Sequence, residues 1–314
     1  MSGLRNQLTT GLRTGARNGG RSFVWICKIV VPVSFLITLL SWSGWLYRID
    51  FLLNPLMAQI NLPAQAALPI IIAVLTSFWA ALAIMTVVPF SPEQMILIAI
   101  FISIAHMLIV EGIIQFKSGI GFAKITVIRL AAAILTVLVV AQFLGDTSQS
   151  VAVPAGLAAH TPFADVLRVW AVETANLVIK ILVIIMIVMA ALESLRALGW
   201  IEYLVKFFKP LMRILGLSDQ VVTMWVAGAV FGVVCGGAVI TAEAKNSLLS
   251  REELEHLHIS IGVNHSIVEY PALLLATGVN VFWSLIPRFV AAALAVHTCR
   301  VIEYLLARSH PCAR

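Results

Sequence analysis

Charged residues are scarce in this chain of 314 residues, since Asp, Glu, Lys and Arg make up only 11% of it. A soluble globular domain contains about 25% of these residues, so the composition argues against a soluble protein. Hydrophobic residues account for 61% of the chain. Several stretches run for about 20 residues with almost no charge, which is enough to cross a bilayer. We therefore predict an all-α polytopic membrane protein.

Motifs for catalysis and for cofactor binding are also missing. The four cysteines show neither metal-ligand spacing nor a disulfide framework. The sequence has no His-Glu-x-x-His zinc helix, no Gly-x-Ser-x-Gly elbow and no phosphate-binding loop. We expect no enzymatic activity, and no cofactor other than a bound divalent metal or sodium ion.

The net charge of +6 does not indicate nucleic-acid binding, because the basic residues lie between apolar spans, where they set orientation. The expected partners are the lipid bilayer, a small polar solute or ion, and a second copy of the chain. Gly228, Gly232 and Gly236 form a small-xxx-small face, which favours close helix packing and supports such a homodimer.

Two halves of the chain carry the same residues at a nearly constant spacing. An offset of 159 residues separates His106 from His265 and Arg129 from Arg288. Further upstream, an offset of 155 residues separates Trp45 from Trp200. A short insertion reconciles the two offsets. The sequence thus predicts a duplicated unit, which is how many secondary transporters are built.

Each half is predicted to contain three spanning helices and one interrupted apolar stretch. Three crossings leave the interrupted stretch to enter and return on one side, as a re-entrant helical hairpin buried in protein. Repeat 1 covers 22–144, with spans at 22–46, 67–89 and 121–144 and a hairpin at 92–118. Repeat 2 covers 162–308, with spans at 170–194, 220–243 and 280–303 and a hairpin at 251–277.

Basic residues predict the orientation of the chain. Residues 1–21 carry four Arg and no acid, which is typical of a flexible basic cytoplasmic tail, whereas 145–161 has no Lys or Arg and is predicted to be an external loop. The first half then crosses an odd number of times, so the two repeats have inverted topology. We expect both termini on the cytoplasmic side of the plasma (bacterial inner) membrane.

Polar side chains inside the interrupted stretches are the candidate binding residues: His106, Glu111, Asn264, His265 and Glu269. Ionisable groups are costly in a membrane unless they are paired or hydrated, so they indicate function by default. Two His and two Glu near a pseudo-twofold axis can ligate a divalent cation. Alternatively, they can bind a polar solute while one of them carries a coupled proton. The alternative is a purely structural role, in which each His caps a loop or bonds to a backbone carbonyl.

Three further sets of charges lie in the spans. Arg129 and Arg288 are interpreted either as partners of Glu111 and Glu269, or of an anionic substrate, or as side chains that snorkel to the interface. Glu111 and Glu269 are one residue out of register with the 159-residue offset. This mismatch reflects either a shift at a broken helix or the end of the resemblance.

On the helix at 170–194, Glu173 and Lys180 lie two turns apart and are predicted to form a structural ion pair, directly or through water. At the end of the span 220–243, Glu243 has no acidic counterpart in the first half. It is interpreted either as a substrate-binding residue that breaks the symmetry or as a wetted helix end.

Two segments of the second half carry a family resemblance. Gly232-Val-Val-Cys-Gly-Gly-Ala-Val-Ile-Thr-Ala-Glu243 and Asn264-His-Ser-Ile-Val-Glu-Tyr-Pro271 resemble the nucleoside-recognition, or Gate, membrane family. Its relatives include spore maturation membrane proteins, the gates of ferrous-iron permeases and, more distantly, concentrative nucleoside transporters. The resemblance implies inverted repeats whose re-entrant hairpins meet at mid-membrane. The Gly-Gln-Thr-Glu-Ala type tip of nucleoside transporters is replaced here by Gly262-Val-Asn-His-Ser.

These observations predict a secondary transporter, or permease, of a small polar solute that is nucleoside-like in one interpretation. It would work by alternating access with proton or sodium coupling. The first alternative is a divalent metal ion permease, for example of ferrous iron, with the metal held by His106, His265, Glu111 and Glu269. The second alternative is a membrane protein with an assembly or regulatory role and no transport activity.

Overall fold

The computed structural model describes residues 2–45, 50–117, 120–149, 162–232, 240 and 249–309. Within these ranges the chain is helical and has no β-strand. Five helical segments are long and apolar enough to cross a bilayer: Leu4–Trp42, Pro92–Lys117, Phe122–Leu144, Phe163–Ala197 and Val281–Leu306. The prediction of an all-α polytopic membrane protein is confirmed.

The helices follow one another in the same order in both halves. The first half contains α1 (Ser2–Trp42), α2 (Asp50–Ala58), α3 (Ala67–Leu75), α4 (Phe78–Val87), α5 (Pro92–Ala105), α6 (Leu108–Lys117) and α7 (Phe122–Leu144). The second half contains α8 (Phe163–Ala197), α9 (Ile201–Ile214), α10 (Val222–Phe231), α11 (Arg251–Val263), α12 (Glu269–Ala276) and α13 (Val281–Ser309). A counterpart of α4 would fall within 233–248, which lies almost entirely outside the described residues.

Residues 2–21 continue α1 as a helix, so the prediction of a flexible tail is wrong. The reason is a close contact with α8. A Cβ atom added at Gly11 would come within 2.7 Å of the Cα of Ser194, and one added at Gly15 within 2.6 Å of the Cα of Ala190. Small residues at every fourth position let two helices approach closely. When only composition is considered, the same glycines are typical of a flexible segment.

The stretch 92–118 crosses the fold instead of turning back, so its prediction as a hairpin is wrong. At its start, Gln94 donates a hydrogen bond to the carbonyl of Thr147, just beyond the end of α7 (3.1 Å). Near its other end, a Cβ atom added at Gly112 would lie 2.5 Å from the ring of Phe122, where α7 begins. A segment that meets both ends of its neighbour runs along the whole of it.

The predicted span 67–89 is instead divided into two short helices. It breaks after α3, and the side chain of Ser77 caps α4 by accepting a hydrogen bond from Ala80 N (3.2 Å). The helices α3 and α4 pack against each other. The end of α3 reaches the break between α5 and α6, where Met107 N donates to Ala73 O (2.8 Å). Hydropathy could not separate one long span from two short helices that fold back.

The second half follows the same plan where it is described. The break between α11 and α12 contacts the end of α10, since Ile267 N donates to Ala229 O (2.8 Å). The helix α10 ends at Phe231, well short of the span predicted at 220–243. Near its start, α11 meets the far end of α13 through His256 and Glu303 (3.0 Å). The prediction of a hairpin at 251–277 is therefore also wrong, because this stretch runs along α13.

Candidate functional site

His106 and His265 meet in the interior, each at the break between two helices. Their side chains are fully buried, and their Nε2 atoms are 3.1 Å apart. Each His is followed by a residue with left-handed backbone, Met107 (φ 47°) and Ser266 (φ 50°). These two residues are also separated by the 159-residue offset. Both halves thus break the helix with the same rare turn, which brings the two His side chains to one point.

The hydrogen bonds of the two His rings fix where their protons lie. Nδ1 of His106 is 2.7 Å from the carbonyl of Ile102, and Nδ1 of His265 is 3.0 Å from the carbonyl of Ile261. A carbonyl oxygen can only accept, so each Nδ1 carries the hydrogen. In a neutral ring this leaves Nε2 as an acceptor. Two acceptor nitrogens therefore point at the same small volume.

Glu111 completes what we call the central triad, which consists of His106, His265 and Glu111. Its Oε1 atom lies 3.4 Å from His106 Nε2 and 3.1 Å from His265 Nε2. The Glu111 side chain is only 2% exposed. Three electron-pair donors converge in the triad. A proton or a metal cation shared among them would stabilise this arrangement.

Tyr270, which was not predicted, occupies the position equivalent to Glu111. The 159-residue offset maps Glu111 onto Tyr270 and not onto Glu269. The Tyr270 hydroxyl lies 2.9 Å from His106 Nε2, and its ring stacks on Phe78 with centroids 4.2 Å apart. Glu269 was predicted as the equivalent of Glu111 because it is the nearest carboxylate, but the offset assigns that position to Tyr270.

Glu269 is not brought to the central triad. One residue along a helix turns the side chain by about 100°, so Glu269 faces away when Tyr270 faces His106. Glu269 is partly exposed and forms no ion pair with any residue in the described ranges. A four-ligand set of two His and two Glu is therefore not assembled.

Arg129 points into the protein rather than toward the interface. It is 1% exposed, and its Nε and Nη2 atoms donate to the carbonyls of Ile104 and His106, both at 2.9 Å. These carbonyls lose their helical partners where α5 ends. Its Nη1 atom lies 2.6 Å from Oε2 of Glu111, as an ion pair whose angles fall outside hydrogen-bond geometry. Of the predicted alternatives, the structure shows pairing with Glu111.

Arg288 holds the second half in the same way but lacks the acid. It is fully buried and donates to the carbonyls of Val263 (3.4 Å) and His265 (2.5 Å). Its Nη1 atom has no hydrogen-bond partner among the described residues, and no described carboxylate forms an ion pair with it. Between the two residues whose carbonyls Arg288 binds, the side-chain amide of Asn264 is fully buried and also lacks a described partner.

Two further predicted residues lie away from the central triad. Glu173 and Lys180 are exposed on α8 and form no direct ion pair with each other, which leaves the form of the pair bridged by water as a prediction. Residues seven apart on a helix are about 10 Å apart along its axis, which is too far for contact. Both line a cavity of about 800 Å³ that also touches α1, α4, α5 and α12. Glu243 lies outside the described residues.

The comparisons with known proteins agree with the resemblance predicted from the sequence. Residues 178–293 match the family model described as Gate, nucleoside recognition. The chain is 24% identical over 273 residues to the uncharacterized membrane protein YvoD of Bacillus subtilis (strain 168), covering 85% of this chain and 86% of that protein. No solved structure matches the chain.

The matched segment begins inside α8 and ends inside α13. It therefore includes the second-half members of the site, His265, Asn264, Tyr270 and Arg288, while His106, Glu111 and Arg129 precede it. The chain is a membrane protein that carries a Gate, or nucleoside-recognition, domain over residues 178–293.

Proposed function

We propose that the protein is a transporter in which two inverted repeats alternate access to the central triad. Lys124, in the first turn of α7, pairs with Glu255 near the start of α11 and with Glu303 near the end of α13 (3.5 Å). The helices α7 and α11 thus start at the same end of the fold. The counterpart of α11 in the first half is α5, which starts at the opposite end, where Gln94 meets Thr147. Opposite directions of equivalent helices support inversion.

A contact at the end of α1 supports an orientation in the membrane. The N-terminal part of α1 carries four Arg. At the opposite end of the same helix, Trp42 packs on Phe163 beside the cavity of about 800 Å³. Basic residues favour the cytoplasmic side. We therefore assign the Arg-rich end and both termini to the cytoplasm, and the cavity to the external side of the plasma membrane.

The cargo that fits the central triad best is a divalent transition-metal cation. The three ligand atoms lie 3.1, 3.1 and 3.4 Å from one another. A tetrahedral ion with bonds of about 2.0–2.1 Å holds its ligands roughly 3.3 Å apart. The triangle therefore has the size of one face of such a tetrahedron. This match is the observation that carries the proposal.

The surroundings of the triad are those of a metal site. Ring nitrogens that bind a metal usually have their other N–H held by a carbonyl or carboxylate. Both Nδ1 atoms here have carbonyl partners, Ile102 and Ile261. Arg129 holds the free oxygen of Glu111. Imidazole nitrogen with one carboxylate suits zinc, iron, nickel or copper better than magnesium or calcium.

Metal binding can be tested on protein purified without chelator. We expect about one transition-metal ion per chain by elemental analysis, and its loss in His106→Ala and in His265→Ala. His297→Ala is the matched control, because His297 is exposed on α13 and its hydrogen bond within the described residues is to the carbonyl of Ile214. In proteoliposomes, the wild type should admit the metal to a lumenal indicator. A wild type that binds no metal would refute the proposal. Binding without transport would favour a structural or regulatory role.

A second candidate is proton-coupled transport of a small organic solute, including a nucleoside. The observation that favours it is the cavity of about 800 Å³ lined by Asp165, Glu173, Asn176 and Lys180. Small-molecule sites have volumes of about 300–1,000 Å³. In this case the triad would share a proton. Solute-driven proton uptake that is lost in Glu173→Gln but kept in His297→Ala would favour this candidate over the metal.

A further inference from the structure

Buried charge is not balanced around the central triad. Arg129, Arg288 and Glu111 are all between 0% and 2% exposed. Two guanidinium groups are thus buried together with one carboxylate, and the only other described acid next to the site, Glu269, is partly exposed and forms no ion pair with either Arg. A buried charge without a partner is strongly unfavourable. A bound cation would add to this excess of positive charge, so an anion is needed to offset it.

The first half shows where an anion would bind in the second. Arg129 and Arg288 donate hydrogen bonds to backbone carbonyls through the same atoms, Nε and Nη2. In the first half the remaining nitrogen, Nη1, meets the Glu111 carboxylate at 2.6 Å. In the second half Tyr270 replaces Glu111, and its hydroxyl is committed to His106. No described residue supplies an acceptor to Nη1 of Arg288.

Asn264 is a second buried polar side chain without a partner among the described residues. Its side chain is 0% exposed, and neither its nitrogen nor its oxygen has a partner among the described residues. It lies between Val263 and His265, whose carbonyls Arg288 holds. The equivalent residue in the first half is Ala105. An amide donor is thus present only in the half that lacks the acid.

We infer that Arg288 and Asn264 bind a small monovalent anion, of halide or carboxylate size, beside the central triad. The guanidinium supplies charge and a donor through Nη1, and the Asn264 amide supplies a second donor. The inference deepens the proposed function, because a cation in the triad would be accompanied by an anion at Arg288. The anion can be a free ion or the carboxylate of a larger solute.

Anion binding can be measured without the metal. Purified protein in detergent with chelator would be unfolded by heat in sodium methanesulfonate, a larger anion without a carboxylate, with chloride or formate replacing methanesulfonate at constant ionic strength. We expect a saturable rise in the unfolding midpoint with chloride or formate in the wild type. Chloride and formate acting alike would indicate a site for free small anions. A response to formate alone would indicate a site for a carboxylate group.

Tyr270→Glu is the decisive variant, because it places a carboxylate at the position equivalent to Glu111. We expect the anion response to disappear in this variant and to persist in Tyr270→Phe, which removes only the hydroxyl. Asn264→Ala should weaken the anion affinity at least tenfold. An anion response that is absent in the wild type, or equal in Tyr270→Glu and the wild type, would overturn the inference. Failure of metal binding with an intact anion response would overturn only the proposed cargo.

Discussion

Arg129 and Arg288 bond to carbonyls at the same distances along the chain, 25 and 23 residues upstream. In both halves they hold the break in a helix. Only Arg129 also meets a carboxylate, because the first half has Glu111 where the second has Tyr270. The backbone scaffold is thus repeated, while the chemistry depends on the few side chains that differ. Substitutions at equivalent positions should therefore have unequal effects.

The largest difference is expected between Arg129→Gln and Arg288→Gln. Both variants lose two hydrogen bonds to carbonyls, but only Arg129→Gln leaves a buried carboxylate without its cation. Breaking a buried pair in this way costs about 3–5 kcal/mol, whereas removing the unpaired Arg288 charge offsets part of its loss. Arg129→Gln should lower the free energy of unfolding more, as measured by denaturant titration in detergent. Equal losses would contradict the assignment of Glu111 to Arg129.

The 159-residue offset explains which of these features could be predicted. It located His106, His265 and both Arg, because a residue needed at a broken helix recurs when the unit is duplicated. The same offset pairs Glu111 with Tyr270, but a change of residue type from carboxylate to phenol hides the equivalence when only like residues are compared. The offset does not predict contacts between residues that are not repeated, such as that of Lys124 with Glu255.

The crossings were harder to predict than the site. An odd number of crossings per half was predicted from charge, yet the predicted span and hairpin were exchanged in the first half, and the predicted hairpin of the second half runs along α13. Apolar length is the same for one span and for a hairpin of two short helices. The deciding features were a Ser77 cap and the contact of Ala73 with Met107, neither of which hydropathy records.

The comparison extends to α1 and α8, where the first half contributes glycine and the second contributes larger residues. Gly15→Leu should be destabilising by about 1–3 kcal/mol, the usual cost of overpacking, because its Cβ would meet the backbone of Ala190 at 2.6 Å. Gly20→Leu is the matched control, since nothing lies within 4 Å of a Cβ there. Thermal unfolding would compare the two. A similar loss in both variants would mean that helix propensity, not the α8 contact, sets the effect.

A smaller effect is expected at the pair of equivalent positions in the site. Tyr270→Phe removes one hydrogen bond to His106 Nε2 and keeps the ring stacked on Phe78. The Tyr270 hydroxyl and a metal compete for the one lone pair of His106 Nε2. A buried hydrogen bond contributes about 1 kcal/mol net, so metal affinity should rise about fivefold in Tyr270→Phe. Glu111→Gln, by contrast, should abolish metal binding because it removes a charged ligand. Competition with a metal indicator would measure both, and a loss of affinity in Tyr270→Phe would show that Tyr270 is itself a ligand.

The smallest effect is expected at the end of the fold where Lys124 joins the halves. Lys124 is 41% exposed and Glu255 is 12% exposed, so solvent screens the pair, and partly exposed pairs contribute about 0.2–1 kcal/mol. The equivalent positions at the other end are Trp283 and Ile96, which cannot form an ion pair. A double-mutant cycle with Lys124→Met and Glu255→Gln should give a coupling energy in this range, and one that shrinks at high salt. A coupling well above 1 kcal/mol would contradict the expectation that solvent screens this pair.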